Sequence, residues 1–475
     1  MAWPNPFRQS DENTRTCWGY TFQLTPDHLT TEERTRLRFS YDKLADECLD
    51  ILNEISPPGA TQALKHTKPP GANNTTADEP AKRDLYLLLE AHRGQHPKLQ
   101  DLWDSVTTIP PWVDWDQIQR GQDVFYRYGG ATIMGLAYQS LLGGMGANRI
   151  AEVLARTGGF SVKVARHRLF ETTKFVLECT QSLASIQKGG AGFASAIRVR
   201  LLHAAVRKRI MKLAENRPEY YDVQAYGVPV NDLDCIATIG SFSTNIVWLS
   251  LPRQGVFPLQ QEETDYIALW RLIAHYMGTS TDFFSTPAKA KAVMETLIMT
   301  EIKPSPTSAT LANNVIRCLE NTPPAYASRS FLETGARWLN GNELCDSLGL
   351  GRPAWYYWVL VAGQCLLFCT VYYLYRILSW VDPRLDQRKI RTVKAALWEV
   401  VDGKHGLQGE KTVFEFKHIP QLGTHTEAGP EEEKRARRRD TEWRSAQTLV
   451  LALGFCGVLA WSAMAGAKLV LSSVL

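Results

Sequence analysis

The sequence lacks the cysteine spacings that mark several classes of protein. Its nine cysteines are scattered, odd in number and without a repeated spacing, which argues against a secreted disulfide framework and for a reducing compartment. It contains no Cys-x-x-Cys-His, so covalent attachment of a c-type haem is excluded. Zinc-finger spacings and RNA-binding aromatic motifs are also missing, and a net charge of +4 is small for 475 residues. We therefore expect no nucleic-acid partner.

Two further absences narrow the possibilities. The first 31 residues have no apolar run of signal-peptide length. The stretch from Gly129 to Gly159 is rich in glycine, but it has neither Gly-Lys-Ser/Thr nor a strand–GxGxxG–helix unit, so it does not indicate a nucleotide site. Close helix packing, or close approach to a flat cofactor, explains this glycine content better.

The remaining pattern predicts a helical protein divided by one long loop. An apolar content of 44% with 21% charged residues is typical of a folded chain. We expect an N-terminal helical arm over 1–55, a flexible loop over 56–83 and a helical catalytic domain over 84–350. Proline–glycine clusters bracket the loop, and Asn73 and Asn74 inside it start N-glycosylation sequons that matter only if this region is luminal.

Two long apolar runs near the C-terminus predict transmembrane helices over 354–378 and 446–467, although either run also suits a buried core helix. A basic polar loop over 379–445 separates them. Its charge favours a cytosolic connection and a luminal domain, whereas the missing signal peptide and the free cysteines favour a cytosolic domain. We expect a cytosolic catalytic domain attached to the endoplasmic reticulum or another endomembrane.

The helix predicted over Phe193–Glu215 carries the most informative residues. Arg200, His203 and Arg207 are spaced i, i+3 and i+7 and share one face, beside small apolar side chains. A neutral imidazole there can ligate haem iron, and a guanidinium can neutralise a propionate. The alternative is a basic, solvated helix with an incidental histidine. His167 and His275 are rival ligands, the second in an apolar helix where a core histidine is more usual.

A second polar group lies on the preceding predicted helix, Val162–Ser185. Arg168 and Thr172 are spaced i, i+4, and Glu171 is adjacent. They form either a surface Arg–Glu pair or a polar cluster on the open side of a haem.

The sequence resembles the catalytic-domain family of the rubber oxygenases (latex clearing proteins), which includes the ER-bound mpaB-type oxygenases. The resemblance covers roughly Trp18 to Leu350 and rests on six short motifs in the expected order: Ala155-Arg-Thr-Gly-Gly-Phe160, Arg168-Leu-Phe-Glu-Thr172, Ile197-Arg-Val-Arg-Leu-Leu-His-Ala-Ala-Val-Arg207, Gly227-Val-Pro-Val-Asn-Asp-Leu-Asp234, Trp270-Arg-Leu-Ile-Ala-His275 and Leu348-Gly-Leu-Gly-Arg-Pro353.

This resemblance implies an all-α, globin-like domain with haem b and dioxygen-dependent cleavage of an isoprenoid carbon–carbon double bond. It places the iron ligand on His203, with Arg200 and Arg207 in support, and a catalytic cluster on Arg168, Glu171 and Thr172. The implied partners are a lipophilic, isoprenoid or prenylated small molecule, dioxygen and a membrane.

The chain departs from the family at Glu171, where the rubber enzymes have a lysine. An ionised carboxylate only accepts hydrogen bonds, whereas an ammonium donates them. Two alternatives therefore stay open beside cleavage. One is a haem oxidoreductase that hydroxylates or dehydrogenates without cutting a carbon–carbon bond, with Glu171 as a base. The other is a non-catalytic haem-binding or interaction protein of the membrane.

Overall fold

Helices form almost all of the regular structure, so the all-α prediction is confirmed. The computed structural model describes residues 11–58, 83–410, 425–429 and 439–474. Most of the predicted flexible loop, with both sequons, lies outside the described residues.

A short antiparallel hairpin, β1 (Thr14–Cys17) and β2 (Tyr20–Gln23), precedes the helices. The α-helices in chain order are α1 (Thr31–Phe39), α2 (Lys43–Ile55), α3 (Leu85–His92), α4 (Pro97–Thr107), α5 (Trp115–Met134), α6 (Asn148–Thr157), α7 (Val162–Thr180), α8 (Leu183–Ile186), α9 (Ala191–Asn216), α10 (Val223–Tyr226), α11 (Asp232–Phe242), α12 (Leu251–Arg253), α13 (Gln260–Tyr276), α14 (Pro287–Glu301), α15 (Pro306–Leu319), α16 (Arg329–Asn340), α17 (Asn342–Ser347), α18 (Trp355–Val381), α19 (Arg384–Asp402) and α20 (Asp440–Val474). A π-helical segment, Gly135–Leu142, continues α5.

Local sequence signals explain several helix ends. Thr30 caps α1 in a capping box, in which the Glu33 backbone N–H donates to the Thr30 hydroxyl and the Thr30 N–H donates to the Glu33 carboxylate. The predicted helix Phe193–Glu215 is observed as α9 with two residues more at its start and one more at its end. Gly129, at φ 31°, kinks α5, where a side chain would meet Val393 of α19.

Two large clusters of buried apolar residues form the core. The larger is centred on α5, α9 and α13, with Trp270 and Tyr276 of α13 fully enclosed. The smaller is formed by α15, α16 and the first half of α18. Helix α9 runs through the larger cluster, where it contacts α7, and reaches a third, small cluster at Val206 and Ile210, which includes Val153 of α6.

The first predicted transmembrane run is helical, but it packs on the catalytic domain. Within α18, Tyr372 hydrogen-bonds Tyr128 of α5, O to O 2.9 Å, and Tyr373 donates to the Gly255 carbonyl at 3.1 Å. Among the described residues, α18 is the one single helix with the length and apolarity to cross a membrane, and α11 with Ile246–Arg253 forms one bent pair that also qualifies. The second predicted run falls within α20, and membrane crossing by either run stays a prediction.

The predicted loop 379–445 contains a helix that the charge pattern concealed. One side of α19 is buried against the domain at Lys389, Ile390 and Val401. It is tied there by Asp386, which accepts from Arg127 of α5 at 2.9 Å, and by Asp402, which accepts from Lys174 of α7 at 2.9 Å. Arg384, Arg388 and Arg391 on the solvent-facing side, and Lys389 within the buried side, hid the apolar pattern.

Candidate functional site

Helix α9 is held to α2 by its two arginines. The Arg200 Nε donates to Asp42 at 2.5 Å, and the Arg207 guanidinium makes a two-pronged contact with Asp46, the shorter distance being 2.6 Å. Arg207 also donates to the Val230 carbonyl at 2.8 Å. Both guanidinium groups are buried and already matched by carboxylates, so their charge is neutralised within the protein.

His203 lies between these arginines, and its side chain is half-buried. Among the residues that the structure describes, none makes a hydrogen bond to its imidazole. Burial and, to a lesser extent, the nearby Arg207 cation lower the pKa of His203 to about 4, against a smaller opposing effect of Asp42. The ring is therefore neutral at pH 7, which is the state that ligates a metal.

Gly192, Ser195 and His203 share one face of α9 by helical spacing, and this face contacts α7 at Gly192 and Ser195. At Gly192 an added Cβ would lie 2.6 Å from the Glu178 carbonyl oxygen. Ser195, one turn along α9, donates to the Glu178 side chain, while Gly192 lies against Cys179. These pairings run in opposite directions along the chain, as in an antiparallel helical hairpin. When the same antiparallel pairing is extended along both helices, the turn of α7 from Arg168 to Glu171 lies beside His203 of α9.

The half of α7 that lies beside His203 is only partly buried. No residue from Arg166 to Thr173 is fully buried, whereas Lys174 to Leu177 are all buried. Helix α7 nevertheless lies between α9 and α15. Protein interiors are normally close-packed, so the partial exposure of this half of α7, facing a partly accessible His203, indicates a recess between the two helices.

The structure brings Arg168 and Glu171 together and leaves Thr172 apart. The Arg168 Nη1 donates to Glu171 Oε2 at 2.9 Å, and both side chains are largely covered. Thr172 is exposed, and its hydroxyl donates to the Arg168 carbonyl of its own helix at 3.0 Å. Arg168 therefore pairs with Glu171, while Thr172, about 100° around the helix from Glu171, faces solvent. The catalytic roles of the three residues stay a prediction.

A glycine in the preceding loop makes room for this pair. A Cβ at Gly159 would lie 3.1 Å from the Arg168 Nε, and Gly158 before it has φ 69°, a left-handed conformation that ends α6. The Thr157-Gly-Gly-Phe160 motif therefore shapes one edge of the recess.

The two rival histidines are placed less favourably than His203. His167 is partly exposed, with its Nε2 3.6 Å from Glu171. His275 has a fully enclosed Nε2 that makes no hydrogen bond, and its pKa is lowered by burial and by Arg200. An enclosed nitrogen has no open side from which a cofactor can approach. Within the described ranges, no three His, Cys, Asp or Glu side chains converge as a metal site, and a haem needs only one such ligand from the protein.

Sequence reasoning missed the carboxylates that hold α9. Asp42, Asp46 and Asp50 recur every four residues along α2, and the third pairs with Lys208 at 2.7 Å. That i, i+4, i+8 acidic row, matched to the basic face of α9, was a usable signal of helix pairing.

Comparison with known proteins shows the family. The sequence model described as "ER-bound oxygenase mpaB/B'/Rubber oxygenase, catalytic domain" matches residues 126–374, more than half of the chain. The chain belongs to this family and is an oxygenase. The matched region contains α7, α9 and most of α18, so the apolar helix begins as part of the catalytic domain.

A solved structure shows the same fold at low sequence identity. It is described as the latex clearing protein LCP in the closed state, at 17% identity and a TM-score of 0.51, covering 75% of this chain and 91% of that one. A search of curated proteins finds no match.

Proposed function

We propose that this chain is a haem b-dependent oxygenase that oxidises a lipophilic isoprenoid or prenylated substrate at a carbon–carbon double bond. The observation that carries the proposal is His203, a neutral, partly accessible imidazole opposite the loosely packed half of α7. The residues present fit the cofactor. His203 would ligate the iron, and the apolar neighbours of His203 on α9 would receive the porphyrin. When bound, the haem would supply the iron centre that activates dioxygen.

Arg200 and Arg207 have a positioning role in this proposal. Asp42 and Asp46 hold both guanidinium groups, so these ion pairs fix α9 against α2 and set the direction in which His203 points. The Arg207 cation also disfavours protonation of the imidazole and helps to keep it in the ligating form.

On the facing helix, Glu171 has two carboxylate oxygens with different surroundings. Its Oε2 accepts from Arg168 at 2.9 Å, and its Oε1 is 3.6 Å from His167. Arg168 therefore orients the carboxylate, and Oε1 is the atom that would accept a proton from a substrate carbon or hydroxyl. This carboxylate favours a second candidate reaction, hydroxylation or dehydrogenation without carbon–carbon cleavage.

The proposal includes attachment to the endoplasmic reticulum or another endomembrane, with the catalytic domain in the cytosol. It is supported by the apolar, exposed side chains of α20 from Val450 to Met464 and by free cysteines throughout the described residues. Protease added to sealed microsomes should remove the domain. Glycosylation at Asn73 or Asn74 in the native protein would contradict this orientation.

Cofactor analysis and product analysis test the proposed reaction. The purified chain should contain non-covalent haem b and consume dioxygen when it is given prenylated phenols or polyprenyl compounds. Aldehyde or ketone fragments identify cleavage, whereas an intact carbon skeleton bearing a hydroxyl group or a new double bond identifies the second candidate. A haem-free chain that stays inactive after reconstitution with haem would overturn the proposal.

A further inference from the structure

The position of α18 does not suit a simple membrane crossing. Its first turns pack on α16, where the Trp338 and Trp358 ring centres are 6.1 Å apart. Beyond its C-terminal end, α19 returns to α5 and α7, as the Asp386–Arg127 and Lys174–Asp402 ion pairs show. The regions at both ends of α18 are therefore attached to the same domain.

The outer side of α18 nevertheless exposes large apolar side chains. They follow helical spacing over its second half and become most exposed at its end, with exposed fractions of 66% at Ile377, 88% at Trp380 and 86% at Val381. Exposed aromatic and aliphatic side chains in a continuous row mark an interaction surface. Tryptophan at the edge of such a row is typical of the membrane–water interface.

A row of arginines begins where the apolar row ends. Arg384, Arg388 and Arg391 lie at i, i+4 and i+7 on the exposed side of α19. Among the described residues, no carboxylate lies within ion-pair distance of these three guanidinium groups. An apolar row that adjoins basic residues is the arrangement by which interfacial helices bind anionic bilayers.

Helix α20 brings the same surface to a membrane. It starts on the domain, where Thr441 donates to the Ala325 carbonyl at 2.7 Å, and it meets α18 at Gly363, where an added Cβ would lie 2.7 Å from the Leu449 Cγ. From Val450 onward its apolar side chains are exposed. The exposed side of α18 is thus continuous with the helix that carries the membrane attachment of the proposed function.

We propose that the exposed row of α18 and the arginine row of α19 form a docking surface for an anionic lipid bilayer, and that α18 rests on this bilayer without crossing it. The inference rests on membrane attachment, which is part of the proposed function, and needs neither haem nor turnover. A second copy of the chain is a poorer occupant, because a two-fold contact through this surface would bring like-charged arginine rows together.

Lipid proximity measured by fluorescence tests this surface in the full chain. A Cys456→Ser protein carrying Val381→Cys is labelled with a fluorophore and reconstituted into vesicles with head-group nitroxide lipids. The same label at Leu87→Cys on α3, which packs on α2, α4 and α9, is the matched control. Cys456→Ser alone gives the background. Vesicles of phosphatidylcholine with phosphatidylserine are compared with phosphatidylcholine alone.

Docking predicts strong quenching at position 381, little at 87, and a loss of quenching without phosphatidylserine or at high salt. Changing Arg384, Arg388 and Arg391 to Gln should reduce docking about 100-fold, at roughly fivefold per arginine, while the protein still floats with the vesicles. A control triple, Arg36→Gln, Lys43→Gln and Lys212→Gln, should not reduce it.

Three outcomes would overturn the surface. Equal quenching at positions 381 and 87, with the protein still floating with the vesicles, would contradict docking through this surface but not membrane attachment. Disulfide cross-linking between copies at 381, independent of lipid, assigns the surface to a second copy. Quenching at 381 by bilayer-centre nitroxides rather than head-group nitroxides shows that α18 crosses. Failure of the protein to float at all rejects the attachment itself.

Discussion

At the residue scale, the state of Glu171 separates the candidate reactions. Glu171→Gln keeps the shape of the side chain and a hydrogen-bond acceptor for Arg168, but an amide cannot take up a proton. We expect this variant to bind haem and substrate normally and to lose about 10²-fold or more in turnover. Single-turnover product formation measures the effect, and undiminished turnover would leave Glu171 with a structural role.

Thr172 serves as the matched control for that variant. Among the described residues, the exposed Thr172 hydroxyl bonds only to the Arg168 carbonyl in its own helix, so Thr172→Ala should change the free energy of unfolding by less than about 1 kcal/mol and leave turnover almost unchanged. A large loss of turnover in Thr172→Ala would restore the three-residue cluster that the sequence predicts.

Glu152 of α6 carries a pH dependence of stability. Burial raises the pKa of its carboxyl, but hydrogen bonds from His425 and Thr307 and the Arg156 cation outweigh burial and bring it to about 2. The folded pKa is below the unfolded value of about 4.5. The contribution is therefore fully present above pH 4.5 and is lost as the pH falls toward 2, by up to about 3 kcal/mol.

Chemical denaturation across this range measures the contribution. Glu152→Gln should flatten the fall in unfolding free energy between about pH 5 and about pH 3, whereas the exposed Glu54→Gln should keep the slope of the unaltered protein. An unchanged slope in Glu152→Gln would show that other groups carry the acid sensitivity.

At the element scale, the crossing of α7 and α9 determines the shape of the recess. At Gly192, a Cβ would meet the Glu178 carbonyl and the Cys179 backbone at 2.6 to 2.8 Å, and backbone atoms cannot move aside cheaply. Gly192→Ala should therefore separate the helices, cost about 1–3 kcal/mol of stability and weaken haem retention.

Gly94→Ala is the matched control, because in the described part of the chain no atom beyond its own chain neighbours lies within 4 Å of the added Cβ. Denaturant unfolding and haem titration compare the two variants. If Gly192→Ala retains haem and stability as well as Gly94→Ala does, the close contact of α7 and α9 at Gly192 does not determine the shape of the recess.

Local pattern predicted the helices well, but not what they touch. The long uninterrupted stretch after Ala191 and the Thr30 capping box are decided by neighbouring residues, so sequence suffices for them. The Arg200–Asp42 pair joins residues 158 positions apart, and no local spacing identifies that partner. The sequence predicts a guanidinium that neutralises a haem propionate. In the structure the Arg200 guanidinium instead pairs with the Asp42 carboxylate.

At the scale of the whole molecule, the C-terminal region is where sequence and structure differ most. An apolar run such as α18 fits a membrane span and a domain helix equally well by composition. Its hydrogen bond to α5 and the return of α19 to the domain are long-range contacts that composition does not reveal. The family match continues to residue 374, beyond the domain end predicted at 350.

The most direct test of the account is the haem content of three histidine variants of the full chain. If His203 ligates the iron, the unaltered protein binds haem b and His203→Ala loses the Soret band while its far-ultraviolet circular dichroism is unchanged. His167→Ala and His275→Ala should retain haem. The imidazole of His167 lies beside Glu171, with its Nε2 3.6 Å from the carboxylate, and the Nε2 of His275 is enclosed by the protein. A His203→Ala protein with a full, unshifted Soret band, or loss of haem only in one of the other two variants, would contradict the account.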